Sequence, residues 1–173
     1  MKIYAPNTTE RVRYAIDLVL KQVCLLDYSF VLKNEIQPGD YVINYSGESI
    51  ENSFQVHPHG LLYENDIKQF DVTFEYGGDE KVKLFLTEFD ELGFDIFSAS
   101  FFLATRLEEY WPFEPDKHGR YTSEFSVASK IGFLQLPLIN IWCEILKTKL
   151  QDKFQGVELK NIPFKIINTI EGE

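Results

Sequence analysis

Cysteine, histidine and methionine are scarce: 173 residues hold two Cys, three His and one Met. Cys24 and Cys143 lie far apart, each within an apolar helical pattern. A disulfide framework or structural zinc site needs more Cys or His at short spacing, so neither organises this chain and two buried free thiols are expected. Basic residues are also outnumbered, 17 against 27 acidic, for a net charge of -10. Lys and Arg form no cluster that would offset this charge locally, which excludes nucleic acid and anionic membrane surfaces as expected partners. No run approaches the ~18 apolar residues of a membrane span. Met1–Pro6 lacks the basic start, apolar stretch and small-residue cleavage site of a secretory leader, so a cytoplasmic location is expected. Repeats, heptads and low-complexity tracts are lacking too.

Apolar and aromatic residues, by contrast, are abundant. The hydrophobic fraction is 45% and Phe occurs 15 times, far too much apolar material for a disordered segment. The length suits one domain with one core, with the α/β body placed over 1–160 and an exit strand or linker over 161–173.

Lys2–Ala5 reads as a short strand stopped by Pro6. Asn7 and Glu10 then stand at N-cap and N3 spacing before Val12, Ile16, Val19, Leu20 and Val23, which predicts an amphipathic helix of about four turns. Asp27–Leu32 and Tyr41–Tyr45 read as strands around the turn Gln37-Pro38-Gly39-Asp40. Ser46–Gly60 reads as loop, and Leu61–Tyr63 as a brief extended piece. Phe70–Tyr76 alternates with period two, and Gly77-Gly78-Asp79 turns it into Val82–Leu86, predicting an antiparallel hairpin within a central mixed sheet. Asp95–Tyr110 is apolar on nearly every side, as a buried helix would be, with Phe97, Phe101 and Leu107 in its core and Pro112 beyond its end. Pro112–Gly132 reads as a long polar connection, Pro137 opens a helix to about Lys153, and Asn161–Ile170 has edge-strand character. The fold class expected is α/β, in the mixed α+β sense: a mixed sheet with a hairpin and packed helices.

Three constellations could carry chemistry. His57-Pro58-His59 with Glu64 or Asp66 suggests a metal site, but the proline restricts the backbone and no third ligand stands at a fixing distance, so no metal and no cofactor is implied. Asp79-Glu80-Lys81 has the residue types of a metal-dependent nuclease but sits in a turn, where charges are ordinarily solvated. The densest polar stretch is Arg106, Glu108, Glu109, Tyr110, Asp116, His118 and Arg120, which has groups enough for acid–base work. The preferred reading is an Arg–carboxylate network that ties the connection to the helix end, with Arg106, Glu109, His118 and Arg120 meeting in space.

At these residues the sequence resembles a domain of unknown function found ahead of polysaccharide deacetylase domains in bacterial proteins. The resembling pieces are Ile3-Tyr4-Ala5-Pro6, Pro58 through Glu64, Phe94 through Leu103, Arg106 through Phe113, Asp116 through Arg120, Gly132 through Pro137, and the helix around Trp142. The resemblance implies that the final strand leads into a catalytic domain whose first motif is Thr, an apolar residue and aspartates. Here the chain reads Thr169-Ile170-Glu171-Gly172-Glu173, without those aspartates. It is therefore expected to be a domain cut at the junction or a stand-alone relative. In either case it would be a non-catalytic module in cell-envelope polysaccharide metabolism, contacting a deacetylase catalytic domain or a glycan. The rival reading is a small hydrolase using Glu108 or Glu109 with His118. An interaction module should display an aromatic or apolar patch, a hydrolase a concave pocket with convergent polar groups.

Overall fold

The computed structural model describes residues 1–77, 81–88, 90–157 and 159. The expected strand Asn161–Ile170, most of the turn Gly77-Gly78-Asp79, and Asp79-Glu80 lie outside the described residues. Strands β1 (Lys2–Tyr4), β2 (Ser29–Val31), β3 (Val42–Tyr45) and β4 (Phe54–Val56) form a parallel sheet in the order β2-β1-β3-β4. Ile3 stands beside Phe30 on one side and Ile43 on the other, and Ile43 beside Phe54. All four residues of β3 are buried, as expected for an inner strand covered on both faces. The α/β class is thus as expected. Parallel and antiparallel pairing are divided between two sheets, however, because the hairpin β5 (Phe74–Gly77) and β6 (Lys81–Leu84) stands apart from the parallel sheet.

The hairpin is shorter than its alternation suggests: residues 70–73 are irregular, and β6 ends where Phe85 takes a φ of 58°. That left-handed residue turns the chain out of β pairing, and its N–H goes to the Thr73 carbonyl (2.9 Å). Val82 and Leu84 are buried beneath the helices, whereas their cross-strand neighbours Tyr76 and Phe74 stand exposed on an overhang.

Helix α1 (Glu10–Ile16) follows β1 and continues as a π-helical stretch, Asp17–Val23. Its N-cap is Thr9, two residues beyond the expected Asn7. The Thr9 hydroxyl accepts from the Val12 N–H (3.1 Å) and donates to the Leu62 carbonyl (2.6 Å), so a tertiary contact fixes where the helix starts. The wider π winding stacks residues five apart, placing Val19 and Cys24 together against Cys143, whose thiol donates to the Val19 carbonyl (3.8 Å). Cys24 and Cys143 are both buried and free, as expected.

Two further expectations are corrected. The segment read as loop, Ser46–Gly60, contains β4, and Leu61–Tyr63 is a 3-10 turn rather than extended. The outer edge of β4 is covered by carboxylates in place of another strand: Glu91 accepts the Gln55 N–H (2.8 Å) and Asp90 the His57 N–H (3.1 Å).

Helix α2 (Ile96–Thr105) is buried along its first two turns, including Phe97 and Phe101, and Leu107 just beyond it is buried as well. It is shorter than expected, because Arg106 turns left-handed (φ 52°, ψ 43°) and Leu107–Tyr110 continues as a 3-10 turn. The connection expected over Pro112–Gly132 holds a 3-10 turn, Ser123–Phe125, and a short helix α3 (Val127–Ile131), capped by Ser126 and stopped by Gly132 at φ 86°. Helix α4 (Leu138–Lys153) runs as the sequence suggests. Its Trp142 indole N–H donates to the Val82 carbonyl (2.7 Å) within the core. No helix among the described residues is long and apolar enough to cross a membrane.

Asp95 joins these parts. One oxygen caps α2 through the N–H groups of Phe97 (3.1 Å) and Ser98 (3.0 Å). The other accepts from the Tyr45 hydroxyl at the end of β3 (2.9 Å), the His59 N–H beyond β4 (2.8 Å) and the Ser98 hydroxyl (2.6 Å). Replacing Asp95 with Asn keeps the cap but turns an amide donor toward the His59 N–H and the hydroxyls. Asp95→Asn should lose about 1–3 kcal/mol in denaturant unfolding, from buried donors left facing one another without an acceptor. A loss below about 1 kcal/mol would contradict this role.

Candidate functional site

The polar residues singled out in the sequence form separate small knots. Arg106 pairs with Glu109 one turn on; with the Arg106 side chain 71% exposed, such a pair contributes only about 0–1 kcal/mol. Asp116 holds a tight loop by accepting the N–H groups of His118 (2.8 Å) and Arg120 (2.9 Å), and its other oxygen meets the Arg120 guanidinium at 3.3 Å. His118 enters through its backbone N–H, and its side chain is exposed at the loop tip. No hydrogen bond or ion pair joins the Arg106–Glu109 knot to the Asp116–Arg120 knot among the described residues. The expected meeting of Arg106, Glu109, His118 and Arg120 is therefore replaced by two local pairings, each satisfied within its own turn. Tyr110 is exposed.

Glu108 behaves differently. It points back under the connection and accepts the Val127 N–H (2.7 Å), supplementing the cap of α3. Burial raises its pKa, only partly offset by that N–H and by Lys130.

Beside Glu108 lies a groove of about 730 Å³, within the usual range of ligand sites. It is lined by the 69–74 segment leading into β5, by α3, and by an aromatic floor of Trp111-Pro112-Phe113 with Tyr121 and Phe125. Its rings are fixed in place. The Trp111 indole N–H donates to the Lys68 carbonyl (3.0 Å), and the ring meets Phe70 edge-on at 5.0 Å. Phe113 and Tyr121 pack edge to face at 5.1 Å. The Tyr76 hydroxyl donates to the Ile131 carbonyl and so ties the hairpin overhang to α3. The Tyr121 phenol is pushed up to about 12 by burial and then by the nearby charges of Glu108 and Glu109, so it stays protonated.

Trp111 and Phe113 stand among the polar residues of this stretch, whose acid–base chemistry is the more conspicuous signal. The overlooked signal is four aromatics, Trp111, Phe113, Tyr121 and Phe125, in a stretch with no core periodicity. Large rings that are not spaced for a core are available to bind.

Two other places were possible. Open parallel sheets take ligands at the carboxyl ends of their strands, where strand order reverses, which here is between β1 and β3. Over the end of β1 the 3-10 turn is packed against α1: Leu61 and Leu62 are buried, Thr9 donates to the Leu62 carbonyl, and Arg11 reaches the Leu61 and Asp66 carbonyls. The chain fills that position itself. His57 and His59 do not converge on one point: the His57 imidazole stands 3.7 Å from Asp90, and the His59 ring packs on Phe85 at 4.9 Å.

The chain belongs to a family of unknown function, DUF7033, whose pattern matches residues 1–155. That span takes in every element from β1 to α4 and the whole groove. No curated protein and no solved structure matches the chain.

The raised pKa of Glu108 has a signed consequence for stability. The folded state holds that proton more tightly than the unfolded chain, so the contribution to stability is full below the ordinary carboxylate range and declines as pH rises through the raised value. Glu108→Gln keeps an acceptor for Val127 and removes the titration. Its melting temperature should fall less than that of the wild type over this interval, and parallel curves would contradict the assignment.

Proposed function

We propose that this domain is a non-catalytic accessory module of cell-envelope polysaccharide metabolism, acting beside a polysaccharide deacetylase catalytic domain, and that the aromatic groove is its glycan contact. The observation that carries the reading is the groove itself, whose rings are held by their own hydrogen bonds and edge contacts before any ligand arrives. A sugar ring offers an apolar C–H face and a rim of hydroxyls. Aromatic faces take the first and carboxylates the second, and pre-fixed rings lose little entropy on binding. The resemblance of Arg106 through Phe113 to the deacetylase-associated domain takes in Trp111-Pro112-Phe113 of the floor.

One observation favours the small-hydrolase reading: Glu108 combines a raised pKa with a concave setting, as a general acid does. That reading needs His118 within reach of Glu108 or Glu109. Instead Glu108 faces the Val127 N–H, Glu109 pairs with Arg106, and His118 belongs to the Asp116 loop.

The test is titration of the whole chain with β-1,4-linked hexasaccharides, neutral, N-acetylated and free-amine. At least one should bind, and Trp111→Ala and Tyr121→Ala should each weaken it about tenfold or more, equivalent to ~1.4 kcal/mol. Silence toward all three sugars, or undiminished affinity in both variants, would refute the reading.

A further inference from the structure

The groove is unbalanced in charge. Asp71, Glu108 and Glu114 line it, against the single ammonium of Lys130. Asp71, on the segment leading into β5, and Glu114, next to Phe113 of the aromatic floor, are both exposed, while the half-buried Glu108 faces the Val127 N–H of α3. The formal charge of -10 adds a long-range field of the same sign. Aromatic faces also favour cations, through the negative face of the ring quadrupole.

These features rank the possible sugars. An acidic sugar would be repelled by the carboxylates and by the net charge. A neutral or N-acetylated sugar satisfies the rings but leaves the carboxylates uncompensated. A sugar carrying an ammonium group satisfies both, with its ring on the aromatic floor and its charge among the acids. We propose that the groove selects chains of amino sugars with free ammonium groups, the de-N-acetylated form of the polymer, over their N-acetylated counterparts. This rests on the glycan-binding reading above and narrows it to one class. The reaction that must supply such a ligand is hydrolysis of the amide on the sugar nitrogen, which releases acetate and leaves the amine. A module of this specificity would hold its partner enzyme on chain that has already been processed.

The experiment is calorimetric titration of the whole chain with the glucosamine hexamer and the N-acetylglucosamine hexamer, at mildly acidic pH and low salt. The free-amine chain should bind about tenfold more tightly, and the difference should shrink as salt screens the charges. The double variant Asp71→Asn/Glu114→Gln replaces two exposed side chains with isosteres and should bring the two affinities to within roughly twofold, whereas Lys130→Gln should widen the gap. Equal affinities in the wild type, or tighter binding of the N-acetylated chain, would overturn this proposal while leaving glycan binding intact. A preference that survives the double variant would belong to the net charge of the molecule and would also overturn it. Absence of binding to either hexamer and to the neutral one removes the glycan reading itself.

Discussion

The structure depends on one buried carboxylate. Asp95 accepts five hydrogen bonds, from backbone and side-chain donors on three parts of the fold. Burial raises its pKa, while donors from Ser98, His59 and Tyr45 pull it back down. A polar group in this position is tolerated only because its acceptor sites are filled. In return the carboxylate fixes α2 at its start, and α2 has few polar side chains with which to fix itself. The far end of α2 inherits that placement: Arg106 bends the chain at a left-handed residue, the 3-10 turn follows, and Trp111 arrives in the groove. Asp95 therefore acts on the site at a distance, by positioning the helix that delivers its floor.

The parallel sheet is small, and the chain invests its carboxyl-terminal side in structure. Leu61 and Leu62 close over β1, while Asp90 and Glu91 finish the edge of β4. Asp90 also gathers its own loop, taking the N–H groups of Leu92 (3.1 Å) and Gly93 (2.6 Å) and the Thr87 hydroxyl (2.6 Å). With that region committed, the proposed recognition falls to the segment after α2, which is held by side-chain ties to its neighbours. Such segments accept varied sequence on a fixed scaffold, which suits the contact role proposed for this domain.

Much of the scaffold was legible from residue pattern. The opening βα unit shows its apolar period, the buried α2 its nearly unbroken apolar run, and α4 the proline that opens it. The rest falls below that threshold. Phe54-Gln55-Val56 is a strand of three residues, too short to alternate visibly, and α3 is a helix of five, shorter than two turns. The separation of the hairpin follows from Phe85 at positive φ, a conformation its side chain does not advertise. At the site, charges drew attention because their chemistry is local and nameable. The rings that form the groove come from segments some forty residues apart, Phe70 and Trp111 among them, and only the fold brings them together.

The two tryptophans provide an internal control for the central claim, that the groove after α2 is where this domain meets its ligand. Trp142 is fully buried with its indole N–H on the Val82 carbonyl, and Trp111 lines the groove with its indole N–H on the Lys68 carbonyl. In a nitrogen-15 correlation spectrum each indole gives its own signal. On titration with a β-1,4-linked amino-sugar oligomer, the Trp111 signal should move in a saturable way while the Trp142 signal stays in place. A saturable response elsewhere in the spectrum with the Trp111 signal unmoved would place the ligand outside the groove and contradict the account.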